Sequence, residues 1–170
     1  MDRGATQRVA LMAIHGQYAD AIMDGIKRVE FRKRRIAEDI QTVWVYATSP
    51  ISMVIGRFTV EEVVTASPQE IWDRYGTVGI IEQDAFFAYY GNSTSAVAIV
   101  VGEAERLTSP VALCELNPPP AVPQSFTYIS ATSTPQVRRA SRPDASRSGT
   151  RSPRASLRSS TSPAIHRMSA

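Results

Sequence analysis

The chain has 170 residues, 21% of them charged, and a formal net charge of +3. Its basicity is uneven: residues 1–130 hold 11 Lys/Arg against 15 Asp/Glu, while residues 131–170 hold 8 Arg and one acid, Asp144. The mildly acidic body therefore argues against a generally basic DNA-coating surface. A lone Cys114 excludes an intrachain disulfide and argues against a cysteine-built metal site.

No run of about 18 apolar residues is available to span a membrane. The opening MDRGATQR lacks the apolar segment of a signal peptide. A cytoplasmic protein is the expectation.

In chain order, RVALMAIH (Arg8–His15) is an apolar run of strand length. GQYADAIMD follows with Tyr18, Ala21 and Ile22 at helical spacing, and Gly25 stands at its end as a C-cap. The next run, GIKRVEFRKRR, sets Lys27, Arg28, Arg32, Lys33, Arg34 and Arg35 around one carboxylate, Glu30. Read as a strand, it places Arg28, Glu30, Arg32 and Arg34 on one face, with Lys27, Val29, Phe31, Lys33 and Arg35 on the other. Glu30 would then stand between guanidinium groups and orient them by charge-assisted hydrogen bonds. An oriented cation set of this kind suits a phosphate- or nucleotide-binding surface. A solvated strand that merely resists aggregation would use the same residues.

QTVWVYAT alternates, with Val43, Val45 and Ala47 on one face and Trp44 and Tyr46 on the other. ISMVIGRFTVEEVVTA is β-rich, and its internal Gly56 predicts a bulge or bend. SPQEIWDRY carries a helix start: Ser67 as N-cap, Pro68 in the first turn and Glu70 three residues after the cap. QDAFFAYY predicts a second short helix stopped by Gly91, and AVAIVVGEAERL another strand. A Pro-rich stretch then leads to a final strand, Ser125–Ile129. Five or six strands with short inserted helices predict a compact, mostly β barrel of α+β class. From Ser130 onward Ser, Arg, Pro, Thr and Ala dominate without apolar period. That composition cannot bury enough apolar surface to fold, so residues 131–170 are expected to form a disordered tail beyond a domain of residues 8–130. Such a tail would be inert or would add non-specific RNA affinity.

No GxGxxG, P-loop, HExxH, GxSxG or CxxC is present. Cys114, within VALCEL, reads as a buried inert thiol. His15 stands at a strand-to-helix junction where it would either face a site or serve as a surface residue. The aromatic residues read mostly as core, with Tyr46 and one of the pair Tyr89/Tyr90 as exceptions suited to stacking on a base. No metal and no cofactor is expected.

Gly25, Lys27, Glu30 and Arg32 form the pattern Gly-x-Lys-x-x-Glu-x-Arg, preceded by AIHGQYADAIMDG and followed by WVYATSP, Gly56 and PQSFTYI. In this order the body, from about Val9 to Ile129, resembles the ASCH domain family, whose fold is similar to that of PUA domains. The resemblance implies a PUA-like β-barrel with a cleft beside the motif strand, suited to RNA or a nucleotide. It implies Lys27 and Arg32 as ligand-binding cations, Glu30 as their orienter or a base contact, and Ser49 on the rim. Some ASCH-like proteins are amidohydrolases on an acylated nucleoside, and others are linked to ribonuclease activity. By that resemblance an enzyme would use Lys27 with Glu30 and an acid from the second short helix, Glu82 or Asp84. Glu30 stands where the amidohydrolases carry a nucleophilic Thr, which sets that mechanism at odds with this chain. A binding module for RNA or a nucleotide is the leading expectation and a small hydrolase the alternative.

Overall fold

In a computed structural model of the chain, residues 7–135 are described. Six strands and three short α-helices follow one another: β1 (Arg8–Ile14), α1 (Gly16–Met23), β2 (Val29–Arg32), β3 (Thr42–Ala47), β4 (Met53–Ala66), α2 (Pro68–Tyr75), α3 (Gln83–Tyr90), β5 (Ala96–Val111) and β6 (Phe126–Ser130). The expected α+β class with five to six strands is what the chain forms. All six strands belong to one sheet of order β2-β5-β4-β3-β1-β6, in which β1 and β3 run parallel and the other neighbours antiparallel. The hydrogen-bond ladder does not close: β2 and β6 are its two edges.

Alternation along each strand divides the apolar residues between packed layers. Ala10, Met12 and Ile14 of β1, Val43, Val45 and Ala47 of β3, and Val97, Ile99 and Val101 of β5 share one core with Ala19 and Ile22 of α1 and with Phe58. Burying Phe58 alone is worth about 1.5–3 kcal/mol relative to leaving it in water. The opposite sides of β1 and β3 (Val9, Leu11, Trp44, Tyr46) pack on Leu107, Leu113 and Leu116. Val29 and Phe31 of β2 pack with Ile71 of α2 and Phe86 and Tyr90 of α3. Each layer thus claims alternate residues of a strand.

Local sequence accounts for the turns. Ser67 and Glu70 form the expected reciprocal capping box at the start of α2. The ladder slips between Val45 and Tyr46 and between Val54 and Gly56, where a bend was expected. β5 runs past Leu107 to Val111 despite Pro110, because Gly56 pairs with Arg106 and Val54 with Val111, so Pro110 sits in the slipped segment and owes no ladder hydrogen bond.

Two expectations change here. The basic run is a strand only from Val29 to Arg32, and Lys33, Arg34 and Arg35 lie exposed beyond it. Cys114 is exposed rather than buried, since its 3₁₀ turn sends Leu113 and Leu116 inward instead. Ala131–Ser133 form a further 3₁₀ turn, with Ala131 N–H donating to Gln7 O at 2.8 Å. The remainder of the expected tail, from residue 136, lies outside the described residues. No helix among the described residues is long and apolar enough to cross a membrane.

Candidate functional site

A left-handed glycine builds the site. α1 ends in a Schellman turn: Gly25, at φ 73°, donates to Ile22 O at 3.0 Å, and Ile26 donates to Ala21 O at 2.9 Å. Lys27 N–H also donates to Ala21 O at 2.9 Å, which fixes the chain direction just before β2. Lys27 therefore precedes the strand and is not bound by its alternation. Its side chain turns to the same side as Glu30, a correction to the expected opposite-face placement.

Lys27 is 3% exposed. Its Nζ donates to the Gly79 carbonyl, lies 3.6 Å from Glu30 Oε2, and stands 5.2 Å and 5.1 Å from the ring centres of Tyr18 and Phe31. The Gly79 carbonyl reaches it because residue 79 has no side chain: a Cβ there would overlap the Phe31 ring. Burial pushes the Lys27 ammonium below its ordinary pKa. Glu30 opposes that shift, and the Arg32 charge adds to it.

Glu30 and Arg32 share a face of β2, opposite Ile99 and Val97 of β5. This is the side facing the core beneath α1, away from α2 and α3. Arg32 Nη2 lies 2.9 Å from Glu30 Oε1 and donates to Ala13 O at 2.7 Å, and Nη1 donates to Ser125 Oγ at 3.3 Å. Its buried Nε–H has no partner among the described residues. Above this, Tyr90 of α3 donates its hydroxyl to Arg32 O at 3.0 Å, and burial holds that phenol well above its ordinary pKa.

The three charged residues line a cleft with Ala13, Ile14, His15, Tyr18, Phe31, Ile81 and Tyr89. Its volume of about 210 Å³ has room for far more than a single ordered water. Tyr89 is 43% exposed at its mouth, and burial of the remainder raises its phenol pKa.

Of the residues read from the sequence, Lys27, Glu30, Arg32 and His15 meet at this cleft. Tyr46 does not: it points into the layer of Trp44, Val54 and Leu107, because β3 alternation sends it away from Val45 and Ala47. Ser49 is exposed in the turn after β3 and does not line the cleft. Glu82 is the exposed N-cap residue of α3, and it too lies outside the cleft lining, as does Asp84. Of the tyrosine pair, Tyr89 is the one in the cleft and Tyr90 the buried support.

Tyr18, Ile81 and the Ser125 partner of Arg32 were not singled out as site residues. Tyr18 has the helical spacing of an ordinary core residue, and the other two arrive through contacts distant in sequence. Among the described residues, no group of three His, Cys, Asp or Glu is placed to hold a metal ion.

The profile of the ASCH domain matches residues 12–107, which takes in the motif and runs from within β1 to within β5. The chain is 27% identical over 135 residues to the "ASCH domain-containing ribonuclease" of Zymomonas mobilis, covering 77% of this chain and 90% of that protein. A crystal structure of ASCH from Zymomonas mobilis superposes with a TM-score of 0.69 at 27% identity, over 74% of this chain and 90% of the other. A stretch of 125 residues is also 29% identical to the large ribosomal subunit protein uL22 of Ureaplasma parvum serovar 3, where it covers only 40% of that longer protein. The matched profile takes in more than half of the chain and carries the Gly25–Arg32 motif at the cleft, so the protein belongs to the ASCH domain family.

Proposed function

We propose that the cleft binds RNA by taking in one nucleotide, its anionic group drawn to Lys27 and Arg32 and its base set between Tyr18 and Phe31. The observation that carries this reading is the buried charge. Two cations, 3% and 8% exposed, face a single carboxylate, Glu30, in a cleft open to solvent. An unbalanced buried cation is costly to desolvate and is relieved by an anion. Aromatic rings lining the cleft suit an unstacked base, the form in which single-stranded RNA is usually read.

A second reading is RNA cleavage, favoured by the name of the Zymomonas relative and by the lowered basicity of the Lys27 amine. A ribose 2′-hydroxyl would attack the adjacent phosphorus and expel the 5′-oxygen, giving a 2′,3′-cyclic phosphate. Arg32 would hold the non-bridging oxygens, Lys27 as the neutral amine would take the 2′-hydroxyl proton with Glu30 holding it in place, and water would protonate the departing 5′-oxygen. Hydrolysis of an acylated nucleoside has less support, since Glu30 is occupied by Lys27 and Arg32 and Glu82 lies outside the cleft.

The test is a titration of single-stranded RNA against the full chain and residues 1–135, at two salt concentrations. Retained binding by the shorter chain, weakened at least about tenfold by Lys27→Ala, agrees with the loss of a charge-assisted hydrogen bond. Binding that disappears with residues 136–170 and ignores Lys27→Ala defeats the proposal. End-labelled RNA incubated with both proteins separates binding from cleavage.

A further inference from the structure

A second feature stands beside the buried cleft. Tyr89 lines the cleft and leaves 43% of its surface in solvent. It is well anchored: its ring meets Tyr90 edge-on at 4.9 Å, and Tyr90 is tied to the β2 backbone at Arg32. Over the Tyr89 ring, 5.0 Å from its centre, lies the ammonium of Lys33. Lys33 is exposed, as is the adjacent Arg34. Arg35, the third exposed cation, is held by Val63 O at 2.8 Å and Thr65 Oγ1 at 3.1 Å. A half-exposed aromatic ring with an exposed cation resting on it therefore adjoins the buried cation pair.

We propose that Tyr89 and Lys33 form a second nucleotide subsite, so that the ligand is an oligonucleotide of at least two residues and not a free nucleoside or mononucleotide. This rests on the cleft reading above and names its ligand class. The neighbouring base stacks on Tyr89 and Lys33 swings off the ring to the phosphate between the two nucleotides. An exposed ammonium-on-ring contact is worth only about two- to fivefold in an equilibrium constant. Base stacking on an aromatic side chain is worth about five- to a hundredfold, so the base displaces the ammonium. Lys33 then loses little, because the phosphate replaces the ring as its partner. Recognition on this platform is tolerant of base identity, since every base presents a π-face.

The experiment measures affinity of the full chain for the four 5′-phosphorylated mononucleotides and for the matching dinucleotides, 2′-O-methylated at the internal sugar to block cleavage. Two further dinucleotides lack the base at the first or the second position. Dinucleotides are expected to bind at least about tenfold more tightly than mononucleotides, in line with one stacked base. Tyr89→Ala is expected to remove that gain, Tyr89→Phe to keep it within about twofold, and Tyr89→Ala to be silent toward one of the two abasic ligands. Lys33→Ala is expected to weaken dinucleotides and leave mononucleotides unchanged. Equal affinity for mononucleotides and dinucleotides overturns the second subsite while leaving the cleft reading intact. A Tyr89→Ala loss of the same size for every ligand, both abasic ones included, also overturns it. No binding by any ligand overturns the cleft reading and the subsite with it.

Discussion

Arg32, on one edge strand of the sheet, donates to Ser125 Oγ at 3.3 Å across a separation of 93 residues, just before the other edge strand begins. The same guanidinium reaches Ala13 O, and Ala13 N–H in turn donates to Ser125 O at 2.9 Å. The gap that the backbone ladder leaves open is bridged here by a side chain. Nearby, Ala37 N–H donates to Tyr128 Oη at 2.8 Å and Arg8 pairs with Asp39, so the β2–β3 loop adds further ties to β1 and β6.

Arg32→Lys is expected to lower stability by about 2–3 kcal/mol, less than breaking a buried ion pair outright because Glu30 keeps Lys27 as a partner. An ammonium cannot serve Glu30, Ala13 and Ser125 in the planar geometry that Arg32 uses. Urea unfolding of the two proteins measures the difference, and a change within about 0.5 kcal/mol, the range of ordinary surface substitutions, would contradict the bridging role.

Lys27 gives a pH signature with a definite sign. Its folded pKa lies below the ordinary 10.5, so between the lowered value and 10.5 the unfolded chain binds the extra proton. Stability contributed by this group therefore rises with pH through that window, and the penalty of burying the ammonium is greatest below it. Lys27→Met removes the titration. The stability gap between Lys27→Met and the parent chain should move in the parent's favour from about pH 7 to about pH 10. Paired urea titrations at the two pH values check it, and a constant gap speaks against a shifted amine.

Gly79→Ala should destabilise by about 1–3 kcal/mol, the usual range for overpacking, because the new methyl meets the Phe31 ring. It should also move the Gly79 carbonyl off the Lys27 ammonium and weaken RNA binding. Gly76→Ala, which meets the Trp72 ring instead, is the comparison. Thermal unfolding and the RNA titration together distinguish loss of packing from loss of the site, since the comparison variant should lose stability without a matching loss of affinity.

Ile80 adopts φ 51°, a left-handed conformation that a β-branched residue strongly resists, and its side chain is 42% exposed. Relief of that strain in Ile80→Gly outweighs the added freedom of the unfolded chain, for a net gain of about 0.5–1 kcal/mol. A thermal melt shows it as a rise in Tm; a fall would mean that Ile80 contributes packing that outweighs its backbone strain.

Much of the fold was legible because it is written in short-range signals. Ser67, Pro68 and Glu70 announce α2, Gly25 ends α1, and the alternation of Val43–Ala47 sorts β3 between two layers. The Glu30–Arg32 pair was legible for the same reason, as residues two apart on one strand. Lys27 was placed on the opposite face because the alternation was extended two residues too far, past the turn that begins at Gly25. Tyr46 was a plausible stacking residue by type, yet its layer depends on Leu107 and Leu113, which join it only in the folded chain. The partners of the charged set, Gly79 and Ser125, lie 52 and 93 residues from Lys27 and Arg32. No local pattern could announce them.

The Schellman turn at Gly25 acts as a ruler. It ends α1 at a fixed angle and leaves one intervening residue, Ile26, before the Lys27 ammonium must enter the cleft. Ile26 itself is 60% exposed and makes few demands on its identity. Lengthening this link by one residue would carry the ammonium out of reach of Gly79 and Glu30 while leaving every motif residue present. The Gly-x-Lys portion of the motif is therefore a statement about distance, and a chain with the same composition but different spacing would have the charges without the site.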